Sequence, residues 1–323
     1  MMPDAAPRVL LIGGTGFIGR HLVQACLAAG MAVRIADVVP HSDSWAAMGV
    51  EYFQGDYRAP EFLNDILSGM DMVVHLVHDT MLLNLDCNME SEFERNIQPA
   101  IRLMDACCAH DISKLLFISS GGTVYGRSLE DQPISEDART SPISLYGTSK
   151  LMIEKIGLLY HVQKNLPFIV ARPANAYGPG QQPFRGQGFI ATALASALQG
   201  RPLEIFGDGG VVRDYIHARD LAEALAALLI CGKVGEAYNV GTARGTMLRE
   251  LLDGYIVPIL AEAGYHLDVR YTPARGVDVP YNVLANAKLV GSTDFAPRID
   301  LDAGLRETWS WLQSTVDAKV SNT

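Results

Sequence analysis

The sequence predicts an α/β protein in which a parallel, doubly wound sheet carries helices on both faces. Short apolar runs alternate with longer segments of helical period, which is the pattern of stacked β-α-β units. The first apolar run leads directly into a glycine-rich turn that opens a helix. Because ligands of such sheets bind where the strands end, we look for functional residues directly after each predicted strand.

The apolar runs place the elements in order along the chain. Central strands are predicted at 8–12, 32–36, 72–76, 115–118 and 168–171, and helices at 17–29, 60–69, 92–110 and 141–165. After residue 172, loops rich in proline and glycine separate helices predicted near 187–200, 219–231, 246–263 and 302–313. The segment 237–241 is predicted to return to the first sheet as a strand.

Chain length and the change to loops rich in proline and glycine after residue 172 indicate two lobes. The 323 residues exceed the usual size of one domain. We expect residues 1–172 to form the first domain, with 215–241 returning to it. Residues 173–214 and 242–323 would form a smaller α/β lobe that binds the substrate.

Composition excludes several classes of protein. The chain has 26 basic and 36 acidic residues, a net charge of −10, which repels nucleic acids and anionic membrane surfaces. The five cysteines lack a paired spacing, so neither a disulfide framework nor a metal site is expected. No apolar run approaches the ~20 residues that span a bilayer, and the N-terminus lacks a signal-peptide pattern. These observations predict a cytoplasmic protein.

A glycine-rich turn between the first strand and the first helix indicates a dinucleotide site. Gly13-Gly-Thr-Gly16-Phe-Ile-Gly19 stands at this junction, where glycines let backbone N–H groups approach a pyrophosphate. Taken alone, the pattern could be a simple turn. Asp37, however, ends the second predicted strand about 20 residues further on, the position of a carboxylate that binds the adenosine ribose. Since a carboxylate there repels a 2′-phosphate, NAD is predicted rather than NADP.

Two further loops are expected to reach the cofactor. Asp56 and Tyr57 follow the predicted third strand, which would place Asp56 near the adenine ring; the alternative is an aspartate in a solvated turn. His78 comes just after the strand 72–76, so its loop is predicted to cross the cofactor.

Tyr146-Gly-Thr-Ser-Lys150 is the sequence most indicative of chemistry. Residues four apart lie on one face of a helix, so Lys150 can sit beside Tyr146. A nearby ammonium lowers the pKa of a tyrosine toward the working pH, where the phenolate can take a proton from an alcohol. The spacing also arises by chance in helices. In this chain it follows the glycine-rich turn and a predicted strand that ends in Ser119-Ser120-Gly-Gly-Thr123.

These motifs together resemble an extended short-chain dehydrogenase/reductase of the NAD-dependent epimerase/dehydratase family, most closely the UDP-glucose or UDP-N-acetylglucosamine 4-epimerases. The resemblance runs from Val9 to about Trp311. Besides the glycine turn and the Tyr-Lys pair, it rests on Ser119-Ser-Gly-Gly-Thr-Val-Tyr-Gly126, Arg172-Pro-Ala-Asn-Ala-Tyr-Gly-Pro-Gly180 and Arg213-Asp-Tyr-Ile-His-Ala-Arg-Asp220. It implies a Rossmann-type first domain, a role in carbohydrate metabolism and a homodimer.

The resemblance also implies the roles of individual residues. Tyr146 would be the acid/base, and Lys150 would lower its pKa while binding the nicotinamide ribose. The full set expected at the cofactor is Gly13, Gly16, Phe17, Ile18, Gly19, Asp37, Asp56, Tyr57, Leu76, Val77, His78, Asn96, Ser119, Tyr146, Lys150 and Pro173. The set expected at the sugar nucleotide is Gly121, Thr123, Asn175, Phe189, Ile205, Phe206, Arg213, Arg275 and Asp278.

The two arginines also make chemical sense without the resemblance. The guanidinium groups of Arg213 and Arg275 suit a diphosphate, and an acidic protein needs local positive charge to hold one. For each arginine the alternative is a salt bridge on the surface.

Two features of the hydroxyl segment set this chain apart. The resembling enzymes carry a catalytic hydroxyl where this chain has Gly121, so the task would fall to Ser120 or Thr123, with Thr123 favoured. Sugar-nucleotide 4,6-dehydratases carry an Asp-Glu pair where this chain has Gly122-Thr123. Without a carboxylate to protonate a leaving hydroxyl, elimination lacks a catalyst.

The predicted function is therefore NAD-dependent epimerisation at C4 of a nucleotide-diphosphate sugar, a UDP-hexose above all. One alternative is a net dehydrogenase or reductase of a sugar nucleotide or polyol with the same Tyr-Lys pair. Another is a non-catalytic NAD-binding regulator. For the homodimer, apolar residues on two helices are candidates for the interface or for the core: Ile97, Ile101, Met104, Leu151 and Leu158.

Overall fold

The computed structural model describes residues 6–79, 88–127, 131–274 and 279–320. Its strands are β1 (Arg8–Ile12), β2 (Ala32–Asp37), β3 (Glu51–Gln54), β4 (Met72–His75), β5 (Lys114–Ile118), β6 (Phe168–Pro173), β7 (Asn175–Tyr177), β8 (Leu203–Phe206), β9 (Val212–His217), β10 (Ala237–Val240), β11 (Gly245–Met247), β12 (Val269–Thr272) and β13 (Tyr281–Asn282).

The helices follow the same chain order. They are α1 (Phe17–Ala28), α2 (Asp43–Ala47), α3 (Pro60–Leu67), α4 (Met89–Glu92), α5 (Gln98–Ala109), α6 (Gly121–Val124), α7 (Leu145–Lys164), α8 (Phe189–Leu198), α9 (Ala218–Cys231), α10 (Leu248–Leu251), α11 (Val257–Glu262), α12 (Ala287–Thr293) and α13 (Leu301–Val320).

A seven-stranded parallel sheet forms the first lobe. Its strands lie in the order β10-β6-β5-β4-β1-β2-β3. Successive residues of β1 face opposite sides: Leu11 packs with α1 and α9, whereas Leu10 packs with α3, α5 and α7. Because both faces are covered, the strands carry continuous apolar runs. The predicted doubly wound α/β fold is confirmed.

Helix ends follow from local chemistry. The predicted helix 141–165 begins at Leu145, because the Ser144 hydroxyl accepts a hydrogen bond from the amide of Gly147 at 3.1 Å and caps the first turn. The predicted helix 92–110 begins at Met89 and passes through a π turn at Phe93–Ile97. The predicted helix 246–263 contains a second π turn at Leu252–Ile256.

The smaller lobe packs around its own core. A sheet of β11-β9-β13, with β7 added to β9, lies beside the pair β8-β12. Leu194 of α8, Leu251 of α10 and Trp309 of α13 pack together there. Strand β10 pairs in parallel with β6, so the chain re-enters the central sheet. This return starts with α9 at Ala218, later than the expected 215, because residues 212–217 belong to the small sheet.

The apolar residues considered for a dimer interface divide between core and surface. Ile97 and Met104 are buried in the first lobe's core, and Ile101, Leu151 and Leu158 are partly buried against core residues. On α7, Leu159 and Val162 are the exposed apolar residues, Val162 to 77 %.

In the part of the chain that the structure describes, every helix is too short or too polar to cross a lipid bilayer.

Helix α7 approaches strand β6 so closely that one helix position has no room for a side chain. A Cβ built on Gly157 would meet the ring of Phe168 at 2.2 Å. We expect Gly157→Ala to lower the free energy of unfolding by about 2–3 kcal/mol, because the ring must move within a packed core. Urea denaturation measures this change.

Gly291→Ala is the matched control, because no atom lies within 4 Å of a Cβ built on this exposed residue of α12. Its stability should stay the same or rise by up to about 1 kcal/mol. Equal losses for the two variants would contradict the close approach of α7 and β6.

Candidate active site

A cleft between the lobes lies at the carboxyl ends of the central strands. It has a volume of about 750 Å³. A smaller cavity of about 150 Å³ lies at the end of β2 and β3. His78 lines both, so the two cavities meet at the loop after β4. Together they form a long site of the kind that ligands of doubly wound sheets occupy.

The glycine-rich turn brings backbone to the cleft wall. Gly13 adopts a φ of 86°, which disfavours side chains, and its amide donates to the carbonyl of Ala36 at 2.9 Å. A Cβ on Gly19 would meet the Gly13 carbonyl oxygen at 2.6 Å, so α1 packs directly on the turn. Gly16 caps α1 without a side-chain hydrogen bond. An anion therefore fits at this helix N-terminus.

Asp37 joins the turn to the smaller cavity. Its Oδ2 accepts hydrogen bonds from the Thr15 hydroxyl at 2.6 Å and from the Thr15 amide at 3.2 Å. The side chain also lines the smaller cavity. A carboxylate at this point suits the hydroxyls of a ribose and repels a phosphate.

Asp56, Tyr57 and Val77 line the same cavity. Arg58 donates a hydrogen bond to Asp56 at 2.8 Å, which lowers the pKa of Asp56. Asp56 is thus both a turn residue with a local partner and part of the cavity wall.

Tyr146 and Lys150 lie at the centre of the cleft. Lys150 is 2 % exposed; its Nζ donates to the carbonyl oxygen of Ile118 at 2.8 Å and lies 5.7 Å from the centre of the Tyr146 ring. Burial lowers the pKa of Lys150 to about 7. Burial raises the pKa of Tyr146 to about 12, while a hydrogen bond with Ser120 acts in the opposite direction.

The structure brings Ser120 rather than Thr123 to the tyrosine. Ser120 and Thr123 both line the cleft, but the side-chain hydrogen bond to Tyr146 comes from Ser120. The Thr123 hydroxyl instead points to the Ser120 carbonyl oxygen, at 3.5 Å. This geometry favours Ser120, whereas the sequence favours Thr123.

Gly121 lies outside the wall of the cleft, contrary to its expected place at the sugar. A Cβ there would meet a methyl carbon of Leu284 at 2.3 Å and the Arg172 carbonyl oxygen at 3.0 Å. The side chain of Leu284 thus fills the space that a serine would need. Gly121 itself is not among the described residues that line the cleft.

Asn96, expected at the cofactor, ties the loop after β4 to α4 and is not among the described residues that line the cleft. Its Oδ1 accepts from the Asp79 amide at 2.7 Å, and its Nδ2 donates to Glu92 at 3.0 Å. Glu92 in turn lies 3.0 Å from the Nε2 of His78. Sequence reasoning missed Glu92; the only signal was a carboxylate four residues before Asn96, on the same helical face.

Most of the residues expected at the substrate line the cleft. Asn175 is held there by its Nδ2, which donates to the Asp214 carbonyl oxygen at 3.1 Å, and one guanidinium nitrogen of Arg213 donates to the Val212 carbonyl oxygen at 2.9 Å. Arg275 and Asp278 lie outside the described residues. The expected residues that line the cleft from this set are Thr123, Asn175, Phe189, Ile205, Phe206 and Arg213.

Most of the residues expected at the cofactor also line the cleft. Those that line the cleft are Gly13, Gly16, Phe17, Ile18, Gly19, Leu76, His78, Ser119, Tyr146, Lys150 and Pro173. The loop between β7 and α8 adds residues that the sequence did not indicate, because loop residues show no periodicity. These are Gln181, Phe184, Gly186, Gln187 and Gly188.

The site fits a dinucleotide with its adenosine end in the smaller cavity. Asp37 would hold the ribose there, the turn at Gly13 would face the pyrophosphate, and Lys150 would hold the nicotinamide ribose.

Removing the carboxylate by Asp37→Ala should weaken NADH binding about tenfold, the effect of losing a hydrogen bond to a charged group. The binding of NADPH should weaken much less, because the variant also removes the repulsion between the Asp37 carboxylate and the 2′-phosphate. Fluorescence titration measures both affinities.

Asp43→Ala serves as control for the loss of charge, since Asp43 is exposed at the start of α2. It should leave both affinities unchanged. Parallel losses of NADH and NADPH binding in Asp37→Ala would show that Asp37 only supports the turn.

Comparison with known proteins agrees with this geometry. Residues 9–241 match the model of the NAD dependent epimerase/dehydratase family. The UDP-glucose 4-epimerase of Azospirillum brasilense is 33 % identical over 96 % of this chain and 93 % of that protein. Proteins named dTDP-glucose 4,6-dehydratase or GDP-6-deoxy-D-mannose reductase also match.

Two solved structures share the whole architecture. The UDP-glucose 4-epimerase of Thermotoga maritima, solved with UDP-glucose, superposes with a TM-score of 0.86 at 28 % identity, covering 96 % of this chain and 99 % of that one. The UDP-glucose 4-epimerase of Thermus thermophilus, in complex with NAD, gives 0.84 at 31 % identity, covering 95 % and 99 %. With its glycine turn and its Tyr146–Lys150 pair in the cleft and its Asp37 in the adjoining cavity, the chain belongs to the NAD-dependent epimerase/dehydratase family, whose cofactor is NAD.

Proposed function

We propose that the protein inverts the configuration at C4 of a nucleotide-diphosphate hexose, a UDP-hexose above all, through a 4-keto sugar. The observation that carries the proposal is a Tyr146–Lys150–Ser120 centre in a cleft whose described wall offers a single carboxylate, Glu204. When bound, NAD supplies reversible hydride transfer at the sugar carbon. The relatives named UDP-glucose 4-epimerase support the choice of substrate.

The chain's own residues move the proton. The hydrogen bond with Ser120 favours the phenolate of Tyr146, which would accept the proton of the C4 hydroxyl and later return it. The Nζ of Lys150 lies 5.7 Å from the centre of the Tyr146 ring on the same helical face, from where the ammonium would favour that phenolate. Asn175 and Arg213 would hold the sugar nucleotide from the second lobe, Arg213 at the diphosphate.

The charge distribution disfavours water elimination. A 4,6-dehydratase needs an acid that protonates the leaving hydroxyl. Glu204 belongs to β8 in the second lobe and is exposed, and the segment after β5 contributes Ser120, Gly122 and Thr123 to the cleft wall. Glu92 lies near Tyr146, but it is fully buried behind His78 and outside the described cleft wall. Epimerisation needs no such acid, since it has no leaving group.

The direct test incubates the purified protein with UDP-glucose and, separately, with UDP-N-acetylglucosamine, without added reductant. NMR should show the C4 epimer of at least one sugar. Accumulation of NADH together with an equal amount of an oxidised sugar, without the C4 epimer, would instead establish a net dehydrogenase. NAD binding without any reaction would establish a regulator.

The assignment of the hydroxyl role gives a sharper test within the site. Ser120→Ala removes the hydrogen bond to Tyr146, so we expect kcat to fall about 100-fold, in the range of general acid–base assistance. Thr123→Val keeps the volume and should lower kcat less than about fivefold, since the Thr123 hydroxyl donates to the Ser120 carbonyl oxygen rather than to Tyr146. Tyr146→Phe should abolish turnover but keep NAD binding.

Initial rates by coupled NMR assay decide between the two hydroxyls. A larger loss for Thr123→Val than for Ser120→Ala would return the role to Thr123. Unchanged turnover in Tyr146→Phe would remove Tyr146 from the mechanism.

We also propose that the protein is a homodimer that pairs through α5 and α7. Leu159 and Val162 leave an exposed apolar surface on α7, and exposed apolar patches mark association sites. Val162→Asp would bury a charge at this interface, so sedimentation should show a monomer for the variant and a dimer for the wild type. Val257→Asp, a similar change at an exposed valine of α11, is the control and should remain a dimer.

A further inference from the structure

Two neighbouring side chains in the turn after β3 differ sharply in burial. Tyr57 is 6 % exposed, its hydroxyl lies 3.1 Å from the Nε2 of His75 in β4, and the two rings pack edge-on. Arg58, the next residue, is exposed and lines the smaller cavity, the one that fits adenosine. The aromatic ring of this turn is therefore fixed by the core, and Arg58 is the residue that solvent reaches.

Arg58 occupies the carboxylate of Asp56, two residues earlier. The Oδ1 of Asp56 accepts hydrogen bonds from the amide and the Nε of Arg58, both at 3.0 Å, and its Oδ2 lies 2.8 Å from that Nε and 2.7 Å from an Nη. These hydrogen bonds lower the pKa of Asp56, so its ionised carboxylate only accepts. Since a carboxylate has about four acceptor positions, little capacity remains for the amino group of an adenine.

Asp79 holds the same guanidinium from the loop after β4. Its Oδ2 lies 3.4 Å from an Nη of Arg58 and 3.7 Å from an Nη of Arg95. The Asp79 amide donates to Asn96 at 2.7 Å, which ties this loop to the π turn that carries Arg95. Asp56, Asp79 and Arg95 also line the smaller cavity. The Arg58 guanidinium is therefore held at the cavity wall between two carboxylates.

Apolar side chains form another part of this wall. Ala36 and Val38 flank Asp37 at the end of β2, and Val77 belongs to the loop after β4. Val38 is 61 % exposed. Apolar side chains together with a planar cation suit a flat, uncharged base, because a guanidinium stacks on aromatic faces.

We propose that Arg58 binds the adenine of NAD by stacking its guanidinium plane on the base, and that Asp56 holds that plane in position instead of binding the adenine amino group. Asp79 supports the same guanidinium from the neighbouring loop. The proposal concerns the cofactor alone, so it does not depend on the reaction at C4 of a sugar.

The first test compares two dinucleotides on the wild-type protein and needs no variant. Reduced nicotinamide hypoxanthine dinucleotide carries a carbonyl oxygen where NADH carries the amino group of adenine. Because stacking does not read this group, fluorescence titration should give affinities that differ by less than about fivefold. A hydrogen bond from the amino group to Asp56 would be replaced by repulsion between two oxygens. A loss larger than about fivefold for the hypoxanthine compound would therefore overturn the proposal.

Substitutions at Arg58 test the stacking itself. Arg58→Ala removes the guanidinium and should weaken NADH binding about tenfold. Arg58→Trp supplies another flat side chain without the charge, so NADH affinity should stay within about threefold of the wild type. If Arg58→Trp binds NADH as weakly as Arg58→Ala, the guanidinium acts only through its ion pairs and the stacking is wrong.

Arg270→Ala is the matched control. Arg270 of β12 also pairs with an aspartate two residues earlier, Asp268, at 2.9 and 3.1 Å, but neither residue is part of the described walls of the two cavities. The variant removes the same charge and the same kind of pair, so its NADH affinity should equal that of the wild type. A loss as large as that of Arg58→Ala would assign the effect to net charge and contradict a role of Arg58 at the base.

Discussion

The hydrogen bond from the Lys150 amine to the carbonyl oxygen of Ile118 is the interaction on which the candidate active site depends. It ties helix α7 to the end of strand β5, at 2.8 Å, where the cleft opens. Tyr146, one helical turn earlier, is thereby placed beside Ser120, which follows the same strand. The bond is made in a buried position, so the charge of the lysine requires support from its surroundings.

Two buried acids provide that support in different ways. Glu154 belongs to a structural network: Arg172 pairs with it and also donates to the Tyr125 hydroxyl at 2.9 Å, and Tyr125 donates to Asn239 of β10 at 2.7 Å. This network joins α7 to strands of the central sheet. Glu92 lies 3.0 Å from the Nε2 of His78, whose ring packs edge-on against Tyr146.

Residues 282 and 284 pack against the segment that follows β5. Leu284 occupies the space next to Gly121, and Asn282 donates to the Gly121 carbonyl oxygen at 3.1 Å. A serine at 121 would require the Leu284 side chain to move. A hydrogen bond with Ser120, one residue earlier, acts on Tyr146.

The sequence by itself determined the central sheet, the glycine-rich turn, Asp37 and the Tyr146–Lys150 pair. These features depend on neighbours in the chain: apolar periodicity, a turn between a strand and a helix, and four-residue spacing on one helix. Only the tertiary structure decided that Ser120 lies beside Tyr146, that Gly121 packs against Leu284 and that Glu92 is buried. Those depend on contacts with Leu284, Tyr146 and His78, which are far away in the chain, and a linear pattern carries no record of which distant side chain fills a given space.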